Sequence, residues 1–315
     1  MQKKVTIIGA GAVGATTAFA LLTRGAASEV VLIDVNTDKA LGEALDIKQA
    51  TPFIDNCDIH AGSYLDAVGS DVVIITSGIG RKPGQSRLEL VQTNVGIIKQ
   101  ISSEIVKAAP NAIYILVANP VDILTYAFIK YTGLPKSQVF GTGTVLDTIR
   151  LRTRLAEIYN VNKHQVHANV LGEHGDTSFV AWSCATIAGV PITEYSSSIA
   201  NAYTLQTEYK REDIETYVKK SGGKIISRKG CTVFGIATTS MHIVKTISGD
   251  AETALTISTL HEGEYGINDV CLSSLALVGT DGVKSIITQK LSDEEMRRMY
   301  ASAEALKEVI KGVNL

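Results

Sequence analysis

The chain has few cysteines, and they form no recognisable pattern. The four thiols, Cys57, Cys184, Cys231 and Cys271, are scattered through 315 residues without a Cys-x-x-Cys pair or the spacing of a metal finger. This arrangement argues against a disulfide framework and against a zinc site. We expect reduced, buried thiols and no bound metal.

An excess of one charge and a long apolar run are also missing. Thirty lysines and arginines nearly balance 32 aspartates and glutamates, for a net charge of −2, so no basic surface for nucleic acid is predicted. No stretch approaches the ~20 apolar residues of a membrane span, and the first four residues lead into a strand without an apolar leader. The sequence therefore predicts a cytoplasmic protein with neither nucleic-acid nor membrane partners.

A glycine pattern follows the first apolar run, residues 5–8. Gly9, Gly11 and Gly14 have the spacing Gly-x-Gly-x-x-Gly. The first glycine permits a tight strand-to-helix turn, the second lets a pyrophosphate approach the backbone, and the third lets the helix pack closely on the strand. Val13, within the pattern, is included among the expected cofactor contacts.

An acidic residue completes this pattern. Asp34 ends the apolar run 30–33, twenty residues after Gly14. At the end of a second strand its carboxylate can accept hydrogen bonds from ribose hydroxyls and repel a 2′-phosphate. The order of strand, glycine turn, helix, strand and acid predicts a site for NAD.

The periodicity predicts an α/β protein with a doubly wound parallel sheet, followed by an α+β half. Runs rich in β-branched residues at 72–76 and 113–118 predict two further buried strands, with helices near 12–24, 37–50, 87–108 and 120–132. In the second half we predict helices near 147–160, 208–221 and 230–247 and from about 292, and strands at 166–171, 180–187, 254–260 and 268–278. The predicted domains are an NAD-binding domain, 1–144, and a substrate domain, 145–315.

Three segments carry residues suited to chemistry. His174 lies between glycines in the segment 172–176, where its ring is accessible and can exchange a proton near neutral pH. Asp147 and Arg150 share a face of a predicted helix, whereas Arg152 is rotated about 200° from Arg150. The glycine-rich and basic segment 77–87 predicts a mobile lid that brings positive charge over an anion. Taken separately, these segments also fit a surface histidine, a solvated ion pair and an exposed basic loop.

Together these segments resemble the L-lactate and L-malate dehydrogenase family over essentially the whole chain. The resemblance is carried by Arg87-Leu88-Glu89-Leu90-Val91, Asp147-Thr148-Ile149-Arg150, Gly172-Glu173-His174-Gly175-Asp176 and Lys229-Gly230-Cys231-Thr232. Within the family the pattern is closer to the bacterial lactate-type enzymes. The resemblance implies hydride transfer between NAD and a small 2-hydroxy acid, with pyruvate and (S)-lactate as the first expectation.

The matched positions imply a role for each site residue. His174 would donate and accept the proton, with Asp147 orienting its imidazole and stabilising the protonated form. Arg150 would bind the substrate carboxylate through two hydrogen bonds, and Arg87 on the lid would polarise the carbonyl. The resemblance also implies that Asn119 contacts the substrate oxygen and the cofactor, and that Thr232 lines the substrate pocket.

Arg81 departs from the lactate-type pattern. Lactate dehydrogenases typically have glutamine at this lid position, whereas malate dehydrogenases have an arginine that pairs with the second carboxylate of oxaloacetate. Over the methyl group of pyruvate, a desolvated Arg81 would have no partner. However, Glu173 and Gln85 differ from the malate pattern, and a long arginine can turn its charge into water. Lactate is therefore placed first, and malate is the alternative.

Arg152 and His167 match positions at which allosteric bacterial lactate dehydrogenases bind fructose 1,6-bisphosphate at a subunit interface. The resemblance thus implies an effector site and a homotetramer. Two remote alternatives are a non-catalytic NAD-binding protein and an NAD-dependent glycosidase, which needs a metal held by cysteine and histidine.

Overall fold

The first half of the chain alternates between strands and helices. The computed structural model describes residues 3–54, 57–80, 84, 87–198 and 209–315. The elements of this half are β1 (Lys4–Ile8), α1 (Ala12–Thr23), β2 (Glu29–Ile33), α2 (Thr37–Lys48), β3 (Asp58–Ala61), β4 (Val72–Ile75), α3 (Arg87–Ala108), β5 (Ile113–Leu116), α4 (Val121–Thr132) and β6 (Val139–Gly141).

The second half mixes helices with shorter strands. Its elements are α5 (Val145–Tyr159), β7 (Val166–His167), β8 (Val170–Leu171), β9 (Phe179–Val180), β10 (Thr186–Ile187), β11 (Val190–Pro191), α6 (Tyr195–Ser198), α7 (Arg211–Lys229), α8 (Phe234–Ile247), β12 (Thr253–Glu262), β13 (Asn268–Gly279), β14 (Gly282–Ile286) and α9 (Asp293–Lys311).

Within the described residues, nine strands form one sheet in the order β14-β13-β12-β6-β5-β4-β1-β2-β3. The strands from β6 to β3 are parallel, and their spatial order reverses between β1 and β4. In such a sheet ligands bind outside the carboxyl ends of the strands, at the reversal. The predicted doubly wound sheet and the α/β class are confirmed.

The parallel strands are buried because helices cover both faces. Along β4, Val73 and Ile75 belong to a core that includes residues of α3 and α4, whereas Val72 and Ile74 belong to a core that includes residues of α1 and α8. Since side chains alternate along a strand, a continuous apolar run is needed to fill both cores. The continuous runs in the sequence have this cause.

The predicted strand pair in the last third extends the same sheet. β12 and β13 form a long antiparallel hairpin, and Ser258 of β12 pairs with Gly141 of β6. The sheet therefore continues beyond residue 144, where the boundary between two domains was predicted. That division of the chain remains a prediction.

Other elements of the second half differ from their predictions. The runs 166–171 and 180–187 were expected to be continuous strands, but each is broken into two-residue strands, and a short 3-10 turn, Trp182–Cys184, interrupts the second. The helix expected near 208–221 is α7, which continues to Lys229. Gly230, with φ of 86°, ends it, so the next helix begins at Phe234 instead of residue 230.

The thiols also depart from their prediction. None of the four forms a disulfide, but only Cys271 is buried; Cys57 and Cys184 are half-buried, and Cys231 is exposed in the connection between α7 and α8. No helix among the described residues is long and apolar enough to cross a membrane.

Candidate active site

The glycine turn lies between β1 and α1, at the carboxyl edge of the sheet. A Cβ on Gly9, whose φ is +112°, would lie 2.5 Å from Thr76 Oγ1, and a Cβ on Gly14 would lie 1.8 Å from Gly9 O. At Gly11, by contrast, a Cβ would meet nothing within 4 Å. The outer glycines thus let α1 approach β1 and β4, while open space lies over the N-terminus of α1. Such a helix start, with unpaired N–H groups and a positive dipole end, suits a pyrophosphate.

Asp34 lies beside this turn, directly after β2. Its Oδ2 accepts a hydrogen bond from Ala10 N at 2.6 Å, and its Oδ1 accepts one from Asn36 N at 2.9 Å. The two contacts orient the carboxylate, which stays partly exposed, and Val13 is half-buried in the first turn of α1. The residues of this turn therefore fit a dinucleotide with free ribose hydroxyls.

Asn119 lies after β5, at the same edge of the sheet. Its backbone oxygen accepts a hydrogen bond from Asn94 Nδ2 at 2.8 Å. The buried amide of Asn94 also exchanges hydrogen bonds with Ile79 N and Ile79 O, at 2.9 and 3.2 Å. Asn94 therefore ties the segment after β4 to Asn119. It is a positioning residue that the sequence analysis missed, because one asparagine in α3 carries no signal of its own.

His174, Asp147 and Arg150 meet in one hydrogen-bonded cluster. His174 Nδ1 lies 2.7 Å from Asp147 Oδ2, and Arg150 Nη1 donates to Asp147 Oδ1 at 3.0 Å. The Asp147 side chain is only 10% exposed, whereas that of His174 is 27% exposed. The Asp147–Arg150 contact follows from their spacing on α5, while the contact with His174 bridges α5 and the turn after β8.

Charge in this cluster favours an ionised pair. Burial alone would raise the pKa of Asp147, but the charge and hydrogen bond of His174, together with Arg150, hold that pKa below 3.8. Burial alone would lower the pKa of His174, but Asp147 and, to a smaller extent, Asp122 raise it above 6.5. The site thus stabilises an imidazolium beside a carboxylate, which is the state that donates a proton.

The turn that carries His174 is anchored on several sides. Gly172, at φ +89°, pairs with Ser273 of β13, and Glu173 N donates to Ser302 Oγ at 2.7 Å. His174 N donates to Asp122 Oδ2, also at 2.7 Å. Because Asp122 follows Asn119 by three residues, this bond connects the histidine turn to the cofactor side of the site. The sequence analysis missed Asp122, although an acid inside the apolar start of α4 was a usable signal.

Thr232 lies half-buried in the connection between α7 and α8. A Cβ on Gly235, three residues after Thr232, would lie 3.1 Å from Leu146 Cδ1, so the start of α8 packs against the start of α5 beside Asp147. A Cβ on Gly222 of α7 would lie 3.9 Å from Arg150 Nη2. These contacts bring the Thr232 segment and α7 to the helix that carries Arg150.

Arg81 of the predicted lid lies outside the described residues, and so does the side chain of Arg87, whose backbone begins α3. The described part of the chain contains no group of three or more His, Cys, Asp or Glu residues arranged to hold a metal ion.

Arg152 bonds to the segment between β7 and β8, directly after His167. Its Nε donates to Ala168 O and its Nη2 donates to Asn169 Oδ1, both at 3.0 Å. Burial lowers the pKa of the Arg152 guanidinium from its usual value. His167 is exposed on β7, next to Ala168. The two residues of the expected effector site therefore lie on neighbouring segments, outside the His174 cluster.

Comparison with known proteins gives full-length matches. Residues 3–141 match the model of the lactate/malate dehydrogenase NAD-binding domain, and residues 144–314 match that of the lactate/malate dehydrogenase alpha/beta C-terminal domain. The chain is 44% identical to the L-lactate dehydrogenase of Acetivibrio thermocellus over 99% of this chain and 98% of that protein. It is 43% identical to the L-lactate dehydrogenase of Thermoanaerobacterium saccharolyticum over 100% of both.

A solved structure agrees with these matches. The crystal structure of a minor L-lactate dehydrogenase from Enterococcus mundtii superposes with a TM-score of 0.93 at 38% identity, covering 100% of this chain and 99% of that one. The glycine turn, the cluster around His174 and these full-length matches agree, and the chain belongs to the lactate/malate dehydrogenase family.

Proposed function

We propose that this protein is an NAD-dependent L-lactate dehydrogenase that interconverts pyruvate and (S)-lactate. The observation that carries the proposal is the cluster of His174, Asp147 and Arg150 at the edge of a sheet with a fitted dinucleotide turn. Relatives that match the chain over its full length are named L-lactate dehydrogenase. The malate dehydrogenase alternative is not favoured.

The cofactor would be held by the glycine turn, Asp34 and Asn119. Bound NAD supplies the hydride acceptor, and NADH the hydride donor, for C2 of the substrate. The backbone at Gly11 would face the pyrophosphate, and the Asp34 carboxylate would accept hydrogen bonds from the ribose hydroxyls.

His174 would move the proton. Because Nδ1 bonds to Asp147, Nε2 is the ring atom that can reach a substrate oxygen. In pyruvate reduction the imidazolium would donate its Nε2 proton to the ketone oxygen, and in lactate oxidation the neutral ring would take the hydroxyl proton. Asp147 stabilises the imidazolium and keeps the ring in one orientation, as an adjacent carboxylate does in other acid-base sites.

Arg150 would hold the substrate carboxylate. Its Nη1 bonds to Asp147, and its remaining N–H donors can bind the carboxylate through two hydrogen bonds, which fixes C2 beside His174. We keep Arg87 as the lid residue that polarises the carbonyl, Asn119 as a contact to the substrate oxygen and Thr232 as a lining residue. Arg81 stays the predicted lid residue whose charge would bear on the choice between pyruvate and oxaloacetate.

The finer features of the protein are proposals as well. We propose a homotetramer with fructose 1,6-bisphosphate as effector at Arg152 and His167. The hydrogen bond from Arg152 to the oxygen of Ala168, directly after His167, supports a shared site. We also propose a cytoplasmic role in fermentation, because glycolysis produces both pyruvate and NADH there.

The test compares pyruvate with oxaloacetate. NADH oxidation is followed by absorbance at several concentrations of each acid, in the presence of a metal chelator and with and without fructose 1,6-bisphosphate. We expect the larger kcat/KM for pyruvate and no effect of the chelator. A larger kcat/KM for oxaloacetate would contradict the lactate assignment. If NADH is oxidised with neither acid, the assignment to small 2-keto acids is contradicted.

A further inference from the structure

Asp122 is a buried acid that none of the proposed catalytic roles uses. It lies in the first turn of α4, only 2% exposed, among residues that are all buried from Val121 to Ile129. Its Oδ2 accepts the 2.7 Å hydrogen bond from the backbone N–H of His174. An acid at such a position loses hydration, so a specific interaction must offset that loss.

Besides His174, the group that offsets the buried charge of Asp122 is the Ser258 hydroxyl. Among the described residues, Asp122 Oδ1 forms no hydrogen bond of regular geometry, and neither does Ser258 Oγ. The pKa of Asp122 is raised to about 6, because burial outweighs the Ser258 hydroxyl, the His174 amide and the His174 charge, which lower it; the Glu173 charge adds to the rise. The Cys271 thiol also faces it, and its pKa is raised further by the Asp122 charge. His174 is thus the cation that most favours ionised Asp122.

We propose that Asp122 is a positioning residue for the proton transfer: its carboxylate holds the main chain of His174, and its charge acts together with that of Asp147 to favour the protonated imidazole. His174 is thereby held from two sides, at Nδ1 by Asp147 and at its backbone N–H by Asp122. An asparagine would keep the hydrogen bond without the charge, since an amide oxygen also accepts from an N–H. The charge is therefore what distinguishes this role from simple anchoring.

The charge has opposite effects in the two directions of the reaction. Above pH 6 Asp122 is increasingly ionised, and it then raises the pKa of His174. Removing its charge lowers that pKa, so pyruvate reduction, which needs the imidazolium, is lost at a lower pH. Lactate oxidation, which needs the neutral ring, extends to a lower pH instead. Loss of packing alone would reduce both rates without moving either profile.

The variant Asp122→Asn tests whether the charge of Asp122 acts on His174. Asp122→Ser serves as a second neutral substitution if the first fails to fold. We expect both pH profiles of kcat/KM to move down by roughly 0.5 to 1 pH unit, because a charge within a partly buried site acts at that scale. Asp269→Asn is the matched control, since Asp269 is an acid that bonds to Tyr126 and Lys130 at the surface. Its profiles should coincide with those of the unmodified protein.

A second measurement reads His174 without any turnover, because the inference rests on the proposed function of that residue. Diethyl pyrocarbonate modifies neutral imidazole, and the ultraviolet absorbance of the product is followed across pH, with His174→Asn subtracted to isolate this histidine. The modification of His174 should begin at a lower pH in the Asp122 variants than in the unmodified protein and in Asp269→Asn. This result would stand even if pyruvate were not the substrate. Unchanged modification and unchanged pH profiles in the neutral variants would overturn the proposal.

Discussion

At the scale of single residues, the functional cluster joins contacts of very different sequence range. Asp147 and Arg150 are three residues apart on one helix, so their ion pair follows from helical geometry. His174 reaches the same carboxylate from 27 residues away. The role of each side chain can be separated by substitution, because cofactor and proton are handled by different residues.

Replacing His174 with asparagine should abolish turnover while NADH binds normally. Asparagine cannot donate a proton to the ketone, so kcat for pyruvate reduction should fall by at least ~10²-fold. NADH affinity, measured by fluorescence titration, should change little, since the glycine turn and Asp34 lie outside the substitution. A near-normal kcat would remove His174 from the mechanism.

Replacing Asp147 with asparagine should move the pH dependence of the reaction. Without the carboxylate, burial dominates and the pKa of His174 falls below 6.5 instead of lying above it. Pyruvate reduction is fully supported only below the pKa of His174 and is lost as the pH rises through it. The variant should therefore lose activity at pH 7 and regain part of it in more acidic buffer, as read from kcat/KM across pH. A profile that does not move would show that Asp147 only shapes the site.

Replacing Arg81 with glutamine tests the alternative substrate. If Arg81 pairs with a second carboxylate in a closed site, its loss should lower kcat/KM for oxaloacetate by roughly 30-fold or more relative to pyruvate. For a lactate dehydrogenase we expect the ratio to change by less than about twofold, or ~0.4 kcal/mol, because Arg81 would then not select the substrate. The ratio of the two kcat/KM values decides between these roles of Arg81.

At the scale of secondary structure, the sequence predicted the parallel strands well and the irregular segments poorly. β4 and β5 are buried on both faces, so their continuous apolar runs carry a clear signal. The run 180–187 looks like a strand because Trp182, Ala185 and Ile187 pack in the core near α5 and α7, yet a turn separates them. In this run the alternation of apolar residues indicated buried side chains and not an extended backbone.

The same distinction explains what was found and missed in the site. The glycine turn and Asp34 were predictable because a local pattern carries their geometry. The meeting of His174 with Asp147 was implied only by family resemblance, since no local period connects them. Asp122 and Asn94 act through backbone groups of distant segments; an acid in an apolar helix start marks Asp122 as unusual, but no sequence pattern identifies the partner of either residue.

Helix α7 offers a test of intrinsic helix stability. Gly223 lies exposed near its middle, and a Cβ there would meet nothing within 4 Å. Gly223→Ala should therefore stabilise the protein by ~0.5–1 kcal/mol and raise Tm by about 1–2 °C at fixed protomer concentration. Gly282→Ala is the opposite case, because at φ +87° its Cβ would lie 2.0 Å from Ser137 O, so Tm should fall. Calorimetry that places both variants on the same side of the unmodified protein would contradict this reading.

At the scale of the whole molecule, several large apolar side chains are exposed on α1, α2, α5 and α8. They include Phe19, Leu45, Ile149 and Phe234, with exposed fractions of 44%, 53%, 47% and 69%. Apolar surface of this kind is typical of subunit interfaces. Ile149 lies between Asp147 and Arg150 in the sequence of α5, so an assembly that covers it would contact the helix that carries the site. In the proposed tetramer, such a contact would connect a neighbouring subunit to the helix of Asp147 and Arg150.

Fructose 1,6-bisphosphate should activate the protein through Arg152 and His167. A coupling of ~1–3 kcal/mol would lower the apparent KM for pyruvate by roughly 5- to 150-fold without changing kcat at saturation.

Arg152→Gln and His167→Ala should weaken this response. They should leave the saturated kcat unchanged, because both residues lie outside the His174 cluster. Glutamine still carries a donor that can reach Ala168 O or Asn169, so the strand contact is partly kept while the charge is lost. Arg154→Gln is the matched control, since Arg154 lies on the same helix and pairs with Glu157 at the surface. Light scattering with and without the bisphosphate shows whether activation accompanies assembly. If millimolar bisphosphate does not activate the unmodified protein, the proposed effector site is contradicted. Arg152 then has only its structural contacts with Ala168 and Asn169.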